Sequence, residues 1–164
     1  MSPAEIAAVT RLRLAAELDQ DREGLRSLAS AIERLQYRTD DPDREWLRVR
    51  ALSFELERWY TAMEATLERV LRALDGAVPA GPSWHDDLLR SAAVPIQGLR
   101  PAVISPEAVD ALREVCRFRH FARHGYDREP DPARVDELAR VALGAQSTSE
   151  ASLVALGAWL RSAE

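Results

Sequence analysis

The chain has 164 residues, of which 46% are hydrophobic and 30% charged, a length and balance that predict one globular domain with a substantial core. Its net charge of -5 argues against a general nucleic-acid coating protein, which neutralises phosphates over a broad basic face, but leaves room for a small basic site. All 22 basic residues are arginine, which excludes a phosphate-loop ATPase, a Schiff-base enzyme or any other lysine mechanism.

No apolar run approaches the roughly 18 residues that span a bilayer. The start, Met1-Ser2-Pro3-Ala4-Glu5, lacks the basic and apolar regions of a secretory signal. A cytoplasmic protein with no membrane partner is expected. The one cysteine, Cys116, has no partner for an internal disulfide and reads as a small apolar residue of a helix.

Ser2-Pro3-Ala4-Glu5 is a helix start, with Ser2 as the cap and Pro3 in the first turn. Leu14, Leu18, Leu25, Leu28, Ile32 and Leu35 follow at spacings of three, four and seven, which places them on one stripe. Gly24, in the middle, marks a bend or a weak point. Asp41-Pro42 starts the next helix after a polar break. Leu52, Leu56, Trp59, Met63, Leu67, Val70 and Leu74 give it the clearest helical period in the chain, and Gly76 ends it. At about 1.5 Å per residue it runs close to 50 Å and forms the spine of a bundle. Trp59 and Tyr60 read as core, and the charged residues Glu57, Arg58, Glu68, Arg69 and Arg72 as a solvated face.

A loop, Ala77 to Pro82, leads into a short helix from about Ser83 to Ala92. It carries Trp84-His85-Asp86-Asp87, a cluster worth testing for metal or acid–base chemistry. Adjacent helical residues point apart, so His85 reads as structural or as surface. Val94 to Pro101 is irregular. Ser105-Pro106-Glu107 starts a further helix, with Val109, Leu112, Val115 or Cys116, and Arg119 at helical spacing. Gly125 is placed to stop it. Asp131-Pro132 starts the last helix, with one stripe of Val135, Leu138 and Ala142 and another of Leu153, Leu156 and Leu160. A kink or short break is expected between them, from Gly144 to Ser149.

The chemistry concentrates in Arg117 to Tyr126. Between Arg113 and Arg128 lie five arginines and two of the three histidines, against Glu114 and Asp127. Metal-free RNA cleavage needs a base for the ribose 2′-hydroxyl, an acid for the leaving oxygen and fixed positive charge for the phosphorane. Histidine and arginine supply these near neutral pH. Arg119 and His124 fit such roles, and Arg117 and Arg123 are candidates for holding substrate phosphate. Five helical residues turn through about 500°, which leaves Arg119 and His124 about 140° apart. They converge only if the helix ends near His124 or a second subunit supplies part of the site. His120 and His124, one turn apart, can hold zinc only with a third ligand, and Phe121 stands where the usual glutamate would be.

The string Arg119-x4-His124-x-Tyr126 resembles the R-x4-H-x-Y signature of HepT-like toxins of the HEPN ribonuclease superfamily, in which the residue after the arginine is commonly Asn, Asp or His. Here it is His120. The context is similar to one HepT-like family: Glu57-Arg58-Trp59-Tyr60-Thr61-Ala62-Met63-Glu64 on the long helix, then Pro79-Ala80-Gly81-Pro82-Ser83-Trp84-His85, then the motif helix. The resemblance covers about Asp43 to the C-terminus. It implies an all-α antiparallel helical bundle of the HEPN kind and a metal-independent endoribonuclease toxin of a type VII toxin–antitoxin pair. It implies no cofactor, and a homodimer in which two motifs meet in one cleft. Arg119 and His124 would carry cleavage, with His120 in support. The implied partner is a minimal nucleotidyltransferase antitoxin that transfers AMP to the motif tyrosine, here Tyr126.

One domain over residues 1–164 is therefore expected, with a core over 41–164 and an N-terminal helix over 1–40 as an accessory element for dimerisation or antitoxin binding. Two other readings remain open. One is a noncatalytic protein of the same fold that binds RNA or a nucleotidyltransferase. The other is a metal-dependent hydrolase built on His120, His124 and His85.

Overall fold

The computed structural model of the protein describes the backbone of residues 3–124 and 129–162, and their side chains except those of residues 3, 4, 6 and 121–124. Among these residues there are five helices and no strand: α1 (Pro3–Arg34), α2 (Pro42–Leu74), α3 (Trp84–Ala93), α4 (Pro106–His124) and α5 (Pro132–Ser162). The fold is an all-α helical bundle. None of the described helices is long and apolar enough to cross a membrane.

α2 is the spine that its period predicts, and it touches each of the other helices. Asp41 caps it by accepting from the backbone N–H groups of Asp43 and Arg44 at 3.0 and 3.1 Å, a contribution of about 1 kcal/mol. It stops at Gly76, whose φ of +76° lies in the left-handed region that a side chain would disfavour. Leu52, Leu56, Trp59, Met63, Leu67 and Val70 are all buried.

α1 packs on α2 and α5 and buries Leu14, Leu18, Leu25 and Ile32 in the same core. It passes through Gly24 without a break. The proposed cap Ser2 lies outside the described residues. Its C-terminal end is clasped by Arg48 of α2, which donates to the Leu35 carbonyl, to Glu45 and to Asp136 of α5. One buried guanidinium thereby joins three helices.

The break expected between Gly144 and Ser149 is absent, because α5 runs unbroken across it. Small polar residues favour turns only when their hydroxyls compete for the backbone. Here Thr148 Oγ1 donates to the carbonyls of Gly144 and Ala145 within the helix, and packing decides the rest. Ala145, Gln146 and Ser149 are buried, and Trp59 Nε1 of α2 donates to Gln146 Oε1 at 2.8 Å.

α3 packs on α2 and α4. The irregular segment after it is anchored by Arg100, whose buried guanidinium grips both carboxylate oxygens of Asp75 at 2.6 and 2.7 Å and also the carbonyls of Ser91 and Val94. α4 begins at Pro106 and turns Ala108, Leu112, Val115, Cys116 and Phe118 into the core. Arg119 continues that inward stripe and so arrives against α2 rather than in solvent.

Candidate functional site

Arg119 is the motif residue whose surroundings are most fully described. Its Nη1 donates at 2.9 Å to Oε1 of Glu64, a carboxylate on α2 whose side chain is only 7% exposed against 12% for Arg119. The guanidinium carbon lies 5.4 Å from the centre of the Tyr60 ring, one turn earlier on α2. Charge and quadrupole act together, since the ring face attracts the cation that the carboxylate holds. Arginine has five N–H donors, and this bond to Glu64 engages one of them.

The second oxygen of Glu64 has its own partner. Oε2 lies 2.5 Å from Nδ1 of His85, which α3 delivers in its first turn. A carboxylate only accepts, so the Nδ1 position carries the proton and Nε2 is the nitrogen left to exchange one. The His85 ring is fixed on two further sides: Trp84 packs on it with ring centroids 3.7 Å apart, and His120 of α4 meets it edge-on at 5.2 Å. The expectation that His85 and its neighbours point apart thus fails for Trp84 and His85. Both rings stand in the first turn of α3, where no preceding turn separates them.

Beside this cluster is a pocket of about 200 Å³, lined by His85, His120, Cys116, Arg117 and by Arg113, which pairs with Asp86 across the gap from α4 to α3. Burial pushes the thiol of Cys116, in its lining, up from its ordinary value, and burial likewise raises the phenol of Tyr60, outside the pocket and against Arg119, so both stay protonated at neutral pH. Arg117 is exposed at the rim. His120 is exposed too, on the outer side of the His85 ring.

The structure therefore brings Arg119, His120 and Arg117 of the predicted set into one region. The backbones of Arg123 and His124 lie in the last turn of α4, but their side chains, with Gly125 and Tyr126, lie outside the described residues. The meeting of Arg119 with His124 and the stop at Gly125 lie there too. Among the described residues no three His, Cys, Asp or Glu side chains are grouped to hold a metal.

The residues absent from the predicted set are Glu64, His85 and the ring of Tyr60. Glu64 had a readable signal: it stands on the buried side of α2 among Tyr60, Met63 and Leu67, where a lone carboxylate requires a partner. The sequence offers His85 within the Trp84-His85-Asp86-Asp87 cluster but not its partner, which is 21 residues away.

A family model described as HepT-like protein matches residues 51–159. No curated protein and no solved structure matches the chain. HepT-like proteins are related to the HEPN ribonuclease toxins. The match takes in all of the cluster, from Tyr60 and Glu64 through His85 to Arg119 and His120, and it covers more than half the sequence: the chain belongs to the HepT-like protein family.

Proposed function

We propose that the protein is a metal-independent endoribonuclease toxin that cleaves RNA at a composite site of two subunits, built on Arg119, His120 and His124 with Arg117 and Arg123 on the phosphates. The observation that carries this reading is Arg119: a guanidinium aimed by an aromatic face and by a buried carboxylate that also holds His85, which lines a pocket together with His120. Such preorganised charge stabilises a phosphorane without having to reorient during the reaction. His124 would transfer a proton, and the ribose 2′-oxygen would attack phosphorus as the 5′-oxygen leaves.

The partner in this reading is a minimal nucleotidyltransferase that silences the toxin by placing AMP on Tyr126. Tyr126 follows His124 by two residues in the sequence, and in this reading the bulky anion placed on it competes with substrate phosphate.

Cleavage of total cellular RNA in EDTA, lost in both Arg119→Ala and His124→Ala, tests the site. The same variants should relieve growth arrest when the protein is expressed alone. Continued toxicity of both would overturn it. Sedimentation of the native chain should give a dimer, and mass spectrometry after co-expression with the transferase should place the adduct on Tyr126.

One observation favours a second reading. The Arg119 side chain is 12% exposed and bonded to Glu64, as it would be in a noncatalytic HEPN-fold protein that binds RNA or its partner without cutting. RNA binding by the native protein with no cleavage would decide for it.

A further inference from the structure

We propose that His85 is a proton-transfer group of the same site, the base that takes the ribose 2′-hydroxyl proton, and that Glu64 is its positioning residue. This rests on the ribonuclease reading and adds to it a residue that lies outside the Arg119-x4-His124-x-Tyr126 motif, on a different helix.

Geometry makes the argument. The Glu64 carboxylate bridges two groups, Arg119 Nη1 at 2.9 Å and His85 Nδ1 at 2.5 Å, so the phosphate-binding charge and the imidazole are set by one buried anchor. With Nδ1–H given to the carboxylate, neutral His85 presents the Nε2 lone pair, and the same carboxylate stabilises the imidazolium formed when that lone pair takes a proton. This is the arrangement by which an acid orients and supports a histidine base. The ring is held between the Trp84 face and the His120 edge, and it lines the pocket that Arg117 rims.

A histidine in a purely structural role needs none of this access. Among the described residues the charged groups about His85 are Glu64 from α2, Arg119, His120, Arg117 and Arg113 from α4, and Asp86 of its own helix, which Arg113 engages. Among the described residues Glu64 is the anion bonded to the ring, so the ring gains its proton next to a compensating charge.

The step balances. The 2′-O–H bond breaks and its proton goes to His85 Nε2. The 2′-oxygen forms a bond to phosphorus, the bond from phosphorus to the 5′-oxygen breaks, and His124 gives that oxygen its proton. The products are a 2′,3′-cyclic phosphate end and a 5′-hydroxyl end. Solvent then takes the proton from His85 and restores His124.

The test uses the full chain on total cellular RNA, with cleavage ends mapped by sequencing. His85→Asn places an amide nitrogen near the position of Nδ1, keeping a donor for Glu64 while deleting Nε2. It should fold with an unchanged melting temperature, bind RNA as tightly as the native protein and cleave about 10²–10⁴-fold more slowly. His85→Ala should lose the same activity and regain at least part of it with added imidazole, and the acid-side limb of the pH–rate profile should vanish in both. Native-like cleavage by His85→Asn, with Arg119→Ala inactive, would overturn the role of His85 and leave the ribonuclease reading standing. An inactive native protein would overturn both. If His85→Asn is slow but its pH profile keeps the native shape and imidazole does not rescue His85→Ala, the residue is structural and the proposal fails.

Discussion

At the scale of single residues, Glu64 carries the most consequence. It is buried, ionisable and bonded to both α3, through His85, and α4, through Arg119. Removing it leaves Arg119 and His85 facing an emptied site, and breaking a buried pair from one side costs about 3–5 kcal/mol. Glu64→Ala should therefore lower the urea midpoint strongly. Glu68→Ala, one turn on, removes only an exposed pair with Arg72 and should cost about 0.5 kcal/mol or less. Equal midpoints for the two variants would mean that the Glu64 bridge contributes no stability. The sequence carried half of this. A carboxylate inside an apolar stripe announces a partner, but a stripe gives direction and not depth, so whether that partner was Arg119 or His85 was legible only once α3 and α4 were docked on α2.

At the scale of elements, helix starts and stops were legible wherever local chemistry fixes them. Asp41 caps α2 with its own side chain and Gly76 stops it in a left-handed turn. The interior breaks were not, because Gly24 and the run from Gly144 to Ser149 are weak by propensity and are held by packing. Gly24 is exposed, and an added Cβ there meets nothing within 4 Å. Gly24→Ala should raise stability by about 0.5–1 kcal/mol, seen as a higher melting temperature, since it removes unfolded-state entropy at no steric cost. The junction of α1, α2 and α5 makes a pH prediction. Hydrogen bonding from Arg48 holds the Glu45 carboxyl down from 4.5 to about 2. A lowered folded value means that the carboxylate's contribution is fully present above the unfolded value. It is lost as pH falls from about 4.5 towards 2. Glu45→Gln should remove that part of the acid dependence and leave the difference in urea midpoint between pH 7 and pH 5 almost unchanged.

At the scale of the molecule, the family match begins at residue 51 and so leaves α1 outside it, yet α1 is not peripheral to the core. The sequence shows an amphipathic stripe, which fits a docking arm or a dimer coil as well as a core helix, and only the fold shows which surface it meets. Leu14, Leu18, Leu25 and Ile32 are buried against α2 and α5. At roughly 1.5–3 kcal/mol for each buried side chain, α1 contributes on the order of 10 kcal/mol, comparable to the whole net stability of an ordinary domain. An accessory arm could be cut away without unfolding what remains. We predict instead that a chain starting at residue 41 exposes the apolar faces of α2 and α5, loses its cooperative urea transition and elutes as aggregate. It also loses the Arg48 link to the Leu35 carbonyl. If the shortened chain unfolds in one sharp transition near the native midpoint and still cleaves RNA, α1 is an appendage, and the site formed by α2, α3 and α4 stands without it.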